Sequence, residues 1–278
     1  MTKLHQYTLA TEAPIEAAVY YEWLLGLQPR DAPGAALAEL GVGVGTPPAP
    51  GAVGWSPVFL VRSVDEAILR ASAEGPVEHL VSGSGGAARH LVCVRDSAWT
   101  VLQEFSSVGE HEPSAYWHAN CDYSTPDPTQ ATRYLGALLG LDHHAIIGDP
   151  YHMRFLHGDR MIATGILRMH GVSAYPKRPH WLVYFEVGDL VTAVARAVDS
   201  GSRIRIPRSR SPFNDFAVLS DPWGSLFGFS TMTPSTAVGP IPTLGGDGTV
   251  CDLRDVVDIH PPHSSDEFTL PGPSHETV

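Results

Sequence analysis

The length, composition and charge of the chain exclude several classes of protein. With 278 residues, of which 43% are hydrophobic, the chain suffices for two ordinary domains that each bury a core. Its 30 acidic and 18 basic residues give a formal net charge of −12, which repels nucleic-acid backbones and anionic lipid. Cys93, Cys121 and Cys251 have no metal-ligand spacing, and no apolar run suits a signal core or a bilayer span. We therefore expect a cytoplasmic protein that binds neither nucleic acid nor membrane.

The first predicted helix recurs later in the chain, which indicates a tandem repeat. YYEWLLGL at 20–27 resembles YLGALLGL at 134–141. Both segments follow a proline that suits a first helical turn, Pro14 and Pro128. Apolar residues recur along both segments at helical spacing. Asp127 is placed to cap the second helix.

A second pair of elements follows in the same order. FLVRSVDEAILRASAEG at 59–75 resembles FEVGDLVTAVARAVDSG at 185–201, and each predicts a strand leading into an amphipathic helix that glycine ends. HLVCVRDSAWTVLQEFSS at 90–107 parallels FAVLSDPWGSLFGFST at 216–231, each predicting a hairpin around an Asp-led turn. Each half therefore reads strand, helix, strands, strand, helix, strands. We expect the helices to cover one face of a curved antiparallel sheet and the other face to border a cleft.

The repeat also sets the predicted domain boundaries. We expect an amino-terminal domain at residues 1–110 and a carboxy-terminal domain at 111–232. Residues 233–278 lie outside the repeat and comprise a Pro/Gly-rich linker and an acidic tail with one short apolar run. Such a tail is expected to be flexible or to lie over a neighbouring surface.

The order of elements, the LLGL helix ends and the motifs FEVGDL and SDPWGS together resemble the vicinal oxygen chelate superfamily. That group includes glyoxalase I, extradiol dioxygenases and bleomycin-resistance proteins. The resemblance covers residues 4–107 and 114–231. It implies the α+β class, with two glyoxalase-like domains, each built from a pair of βαβββ modules that wrap a mostly antiparallel sheet around a U-shaped cleft. The superfamily contains both metalloenzymes and metal-free binding proteins.

The metal-ligand positions of the superfamily can be carried over onto this sequence. Metal-dependent members use a histidine near the start of a domain's first strand, a histidine opening the first strand of the next module, and a glutamate on the last strand. The ion keeps open positions at which substrate oxygens chelate. The resemblance places these positions at Gln6, Ser56 and Gln103 in one half and at Asn120, Leu182 and Gly228 in the other. Neither half has three ligands, so the resemblance implies a protein without a metal or another cofactor.

A displaced metal site remains open as an alternative. His118 and His180 each precede a missing ligand by two residues, so strand alternation puts each of them on the same face as the position that it misses. With Asp122 they would form an imidazole and carboxylate set that suits zinc or iron. Otherwise both histidines are hydrogen-bonded residues at the ends of strands.

The carboxy-terminal half is rich in aromatic residues, which serve either as core or as the lining of a pocket for a flat apolar ligand. We predict a ligand-binding set with two parts. Stacking and apolar contacts are assigned to Met153, Trp181, Tyr184 and Trp223. Hydrogen bonds to polar groups of the ligand are assigned to Gln6, Gln103, Asn120 and Asp122.

Two functional hypotheses from different classes follow. The first is a metal-free binding protein of secondary metabolism that sequesters a bulky aromatic natural product. It resembles two-domain proteins found with antibiotic biosynthesis, including anthracycline-type pathways, and would act in self-resistance or as an accessory to a tailoring enzyme, its protein partner. The second is a dioxygenase, isomerase or cyclase of polyketide biosynthesis that uses the displaced site or Asp122 as a base. A third hypothesis has the acidic tail recruit a partner enzyme.

Overall fold

A computed structural model of the chain describes residues 2–48, 52–82, 88–94, 98–105, 120–146, 152–157, 160–168, 178–210, 214–232, 242–245 and 250–252. The strands of the amino-terminal half are β1 (Thr2–Ala10), β2 (Val42–Gly45), β3 (Gly54–Val61), β4 (Val77–Ser82), β5 (Arg89–Val94) and β6 (Thr100–Glu104). Its helices are α1 (Pro14–Leu24), α2 (Ala35–Glu39) and α3 (Val64–Ser72). The second half contains β7 (Asn120–Thr125), α4 (Pro128–Leu139), β8 (Asp142–Ile146), β9 (His152–His157), β10 (Arg160–Arg168), β11 (His180–Glu186), α5 (Leu190–Asp199), β12 (Arg203–Arg210), β13 (Asn214–Ser220) and β14 (Leu226–Met232). Two further strands follow, β15 (Pro242–Gly245) and β16 (Val250–Asp252).

The helices begin where their capping residues dictate. Proline occupies the first turn of α1 and α4, and the Asp127 carboxylate accepts a hydrogen bond from the Gln130 amide at 2.9 Å, so the predicted cap is confirmed. Asp189 caps α5 in the same way, accepting from Val191 at 3.0 Å. The helix α4 ends at Gly140, whose φ of 62° lies in the left-handed region that glycine adopts without strain. Among the residues described, no helix has the length and apolar character needed to cross a bilayer.

The sheet of the carboxy-terminal half contains two complete modules. The order β7-β10-β9-β8 forms one and β11-β14-β13-β12 the other. They meet where β7 and β11 pair antiparallel, and in each module the last strand lies parallel to the first. This is the arrangement predicted for two βαβββ modules, and the α+β class is confirmed.

The amino-terminal sheet is smaller, with the order β2-β1-β3-β6-β5-β4. Its second module is complete, whereas the described part of the first supplies only β1 and β2 to the sheet. The chain between α1 and β3 is rich in proline and glycine, and part of it forms the short helix α2. Too little strand-forming sequence remains there for the three strands that the repeat predicts.

Part of the predicted tail joins the carboxy-terminal sheet. The strand β15 pairs antiparallel with β8, through Thr243 opposite Ile146 and Leu244 opposite Ala145, and β16 pairs with β15. The segment thus covers a sheet edge that would otherwise expose unpaired backbone groups. Residues 253–278 lie outside the described part of the chain.

The two halves share one large core on the sides of their sheets that the helices cover. One cluster of buried side chains includes residues of β1, α1, β3 and α3 together with residues of β7, α4, β11 and β14. The strands β3 and β11 lie against each other, with Trp55 5.3 Å from Phe185 and Phe59 6.0 Å from Trp181 between ring centroids. The guanidinium of Arg70 in α3 also donates to the Ala137 carbonyl near the end of α4, at 2.8 Å.

A buried carboxylate at the SDPWGS turn connects the halves. Asp221 accepts hydrogen bonds from the backbone amides of Ser225 at 2.8 Å and Trp223 at 3.0 Å. It also accepts from the Tyr21 hydroxyl of α1 at 3.0 Å, and that hydroxyl accepts from the Trp55 indole nitrogen at 3.4 Å. Because this network is buried, each lost donor leaves an acceptor that water does not satisfy.

We predict that Tyr21→Phe lowers the free energy of unfolding by about 1–3 kcal/mol, since it removes a buried donor from Asp221 and an acceptor from Trp55. Urea unfolding measures the change. The control is Tyr20→Phe, whose half-buried hydroxyl shares a hydrogen bond with the Ser202 hydroxyl and whose loss should matter less. Equal losses in the two variants would contradict the role given to this network.

The same network predicts a pH dependence. Burial raises the pKa of Asp221 above its ordinary value, although hydrogen bonds from Ser225, Tyr21, Trp223 and Gly224 oppose the rise. The folded state therefore holds this proton more tightly than the unfolded chain does. Its stabilising effect is complete below about pH 4 and is lost as pH rises through the folded pKa.

Asp221→Asn removes this titration. The stability of the wild type minus that of the variant should therefore fall as pH rises from about 4 toward 7. Urea unfolding of both proteins across this range measures the difference at each pH. A difference that stays constant, or that grows with pH, would show that the pKa of Asp221 is not raised.

Candidate functional site

The face of the carboxy-terminal sheet that points away from the helices carries a separate apolar cluster, here named the apolar strip. It consists of the buried residues Leu182, Tyr184, Val218 and Leu226, with Ile206 and Phe216 partly buried against them. Strand alternation sends Trp181, Val183 and Phe185 to the opposite face, into the core shared by the two halves. The strip therefore lies on the concave face, opposite the shared core.

An aromatic ring covers the centre of the strip. Tyr184 pairs with Gly228 in the parallel register of β11 and β14. A Cβ atom added at Gly228 would lie 2.3 Å from Cδ1 and 2.5 Å from Cε1 of Tyr184, so the ring rests directly on the glycine backbone. Phe216 meets this ring edge-on, with centroids 6.1 Å apart. The missing side chain at Gly228 is what allows the ring to lie there.

Polar groups lie beside the strip on β7. Asp122 is opposite Leu182 in the antiparallel register of β7 and β11, and only 8% of it is exposed. Ser124 is opposite His180 and fully buried. Because directly opposed residues share a face of the sheet, the Asp122 carboxylate borders the apolar strip.

The residues at the metal-ligand positions do not fit a metal ion. Leu182 is completely buried and has no donor atom, and the Tyr184 ring fills the space above Gly228. In the amino-terminal half the Ser56 hydroxyl donates to the Trp99 carbonyl at 3.1 Å. Within the described ranges, no three His, Cys, Asp or Glu side chains lie close enough to share an ion.

The structure describes two of the three residues of the displaced metal site, His180 and Asp122. His180 donates from Nδ1 to the Arg178 carbonyl at 3.0 Å, and burial lowers the pKa of the imidazole, so its neutral form is favoured. Asp122 lies on the same face of the sheet as His180. His118 lies outside the described residues, so the three-residue site remains a hypothesis.

Two predicted ligand-binding residues belong to the core instead. Trp181 is 2% exposed, donates from its indole nitrogen to the Thr100 hydroxyl at 3.3 Å, and packs edge-on against Tyr123. It is three residues from Tyr184, so the two side chains point to opposite faces of β11. Trp223 lies in the turn before β14 and packs edge-on against Tyr20 of α1, on the helix side. Both tryptophans therefore lie away from the ligand-binding face.

The remaining predicted residues are placed as follows. Gln6 pairs with Val58, and Gln103 with Leu60, on the concave face of the amino-terminal sheet. The side chains of Asn120 and Met153 lie outside the described part of the structure. By backbone register Asn120 is opposite Tyr184. Met153 is opposite Ile166 of β10, and Ile166 is in turn opposite Tyr123, which belongs to the shared core.

Besides Leu182, which the resemblance places at a metal-ligand position, four members of the strip were not predicted: Ile206, Phe216, Val218 and Leu226. The strand sequence FAVLS is apolar at successive positions, so alternation did not show which residues face the cleft. Only the pairing of β13 with β14, whose Gly228 lies opposite Val218, identifies Phe216, Val218 and Leu226.

Comparison with known proteins defines the class of fold. No family model and no curated protein matches the sequence. The Mn(II)-bound glyoxalase from Novosphingobium aromaticivorans is similar in structure, with 14% identity, 83% coverage of both chains and a TM-score of 0.52. Homoprotocatechuate 2,3-dioxygenase from Arthrobacter globiformis has 15% identity over 83% of this chain and 79% of its own, with a TM-score of 0.52. A catechol 2,3-dioxygenase has 16% identity over 94% and 99%, with a TM-score of 0.50. The chain therefore has the vicinal oxygen chelate fold.

We predict that Gly228→Ala destabilises the protein by about 1–3 kcal/mol, because its methyl group would overlap the buried Tyr184 ring. The matched control is Gly188→Ala, where an added Cβ meets nothing within 4 Å. Thermal unfolding of both variants measures the effect. On a Tyr184→Ala background the loss caused by Gly228→Ala should largely disappear. An undiminished loss there would show that the ring is not the obstacle.

Proposed function

We propose that the protein binds a flat, mainly apolar small molecule at the apolar strip without using a metal ion. The observation that carries this proposal is the Tyr184 ring lying on Gly228, where the resemblance places a metal-ligating glutamate. The ring is only 6% exposed, so it would form the apolar floor of the site beneath the partly buried Phe216 and Ile206, in place of a Lewis acid. The protein would therefore recognise its ligand by shape and apolar contact.

The surroundings of Tyr184 support this kind of recognition. Phe216 and Ile206 are only partly buried and extend the apolar strip beyond the Tyr184 ring. Asp122 at the border of the strip supplies a carboxylate that would accept a hydrogen bond from a ligand hydroxyl. Apolar walls with few polar groups are typical of sites for small organic ligands.

We infer that the ligand is a bulky aromatic natural product, such as an aromatic polyketide. Two of the structurally similar enzymes are named for aromatic substrates, catechol and homoprotocatechuate, which supports an aromatic ligand for this fold. The sequence resemblance to two-domain proteins of antibiotic pathways supports the same class. The protein would then sequester the compound in self-resistance or remove it from a tailoring enzyme.

Asp122 favours a second candidate function, an enzyme that moves a proton. A carboxylate that is 8% exposed and borders the ligand face is placed to act as a general base on a bound molecule. Asp122→Asn distinguishes the two functions. In a binding protein the change alters affinity only modestly, whereas in an enzyme it abolishes product formation while binding persists.

We predict saturable quenching of daunorubicin fluorescence by the purified protein, with the anthracycline as a probe of flat aromatic ligands. Tyr184→Ala should weaken binding about tenfold, because it removes the ring that forms the floor of the site. Tyr184→Phe, which keeps the ring, should bind within about twofold of the wild type by the same reasoning. Chelator treatment should leave the affinity unchanged. Loss of binding after chelation, or equal affinity in Tyr184→Ala, would contradict the proposed function.

A further inference from the structure

A long side chain spans the concave side of the amino-terminal sheet. In the sheet order β5 is separated from β2 by β6, β3 and β1, yet Arg89 of β5 lies beside Gly43 of β2. A Cβ atom added at Gly43 would lie 3.6 Å from one terminal nitrogen of Arg89 and 3.8 Å from the other. Arg89 shares the face of Leu91, a member of the concave cluster, so its side chain crosses the concave side.

Hydrogen-bond donors converge on the space that Gly43 leaves. The Thr8 hydroxyl oxygen is 3.6 Å from the same Cβ position, and Thr8 pairs with Gly43 in the register of β1 and β2. Two residues along β2, a Cβ at Gly45 would meet no atom within 4 Å. A guanidinium and a hydroxyl thus point to one place on the concave face, with open space next to it.

Among the residues that the structure describes, no anionic group pairs with Arg89. Within the described part of the chain it makes neither an ion pair nor a hydrogen bond. Burial lowers the pKa of its guanidinium, because the charged form is partly removed from water. A desolvated cation of this kind is unfavourable unless an anion pairs with it.

We propose that Arg89 and Thr8 form a binding site, over Gly43, for the carboxylate or phosphate group of a small molecule. The planar guanidinium fork binds two oxygens of such a group at once, and the hydroxyl donates to one of them. The site lies in the other half of the chain from the apolar strip and does not depend on the function proposed for that strip. It gives the concave face of the shorter half a ligand-binding role of its own.

The site is tested by isothermal titration calorimetry with sodium phosphate and with sodium acetate at low ionic strength, each against sodium chloride as reference. Binding of phosphate, acetate or both supports the proposal, and the stronger of the two identifies the preferred group. Arg89→Gln should weaken that binding about tenfold or more, because it removes the charge and the fork. The matched control Arg62→Gln, which changes an exposed arginine of the same half, should bind like the wild type.

A second variant keeps the test decisive if Arg89→Gln fails to fold. Gly43→Ala adds a methyl group 3.6 Å from both Arg89 and Thr8, a distance that ordinary packing accepts. It fills the anion position and should weaken binding with little change in the unfolding temperature. Absence of phosphate and acetate binding in the wild type, or unchanged affinity in Gly43→Ala and Arg89→Gln, would overturn the proposal. Daunorubicin quenching should be unaffected in both variants, which separates this site from the apolar strip.

Discussion

The packing of β3 against β11 is the constraint on which the rest of the structure depends. Trp55 and Phe59 of the first half correspond in the repeat to Trp181 and Phe185 of the second. Trp55 contacts Phe185 and Phe59 contacts Trp181, so equivalent residues exchange partners as they do across a two-fold axis. Buried aromatic pairs of this geometry contribute about 0.5–1.5 kcal/mol beyond their buried area. Each half therefore completes the core of the other.

This shared core also decides what the concave face contains. Because Trp181, Val183 and Phe185 are committed to the core, alternation places Leu182 and Tyr184 on the other side of β11. A slip of one residue would bring the opposite set to the cleft and break the contacts with β3. The position of the Tyr184 ring over Gly228 is thus a consequence of the packing between the halves.

Local features of the sequence predicted the fold better than they predicted the candidate site. Helix starts and caps, such as Pro128 with Asp127, depend on neighbouring residues and were correct. The face of a strand depends on the residues packed against it, and WLVYFE is apolar at nearly every position, so Trp181 was assigned to the cleft wrongly. The strand β15 pairs with β8, a partner far away in sequence, and its short segment PTLG has no alternation to predict it.

The shared core also separates the two candidate sites. Both sheets turn their helix-covered faces toward it, so the concave face that bears Arg89 and the one that bears Tyr184 point away from each other. A molecule bound at one proposed site would therefore not contact a molecule bound at the other. The contact of β3 with β11 is a direct route for coupling between them, because these strands supply residues to both concave faces: Val58 on one strand and Leu182 on the other. A change in the packing between the halves, and not a direct contact between ligands, is therefore the physical means by which one half would influence the other.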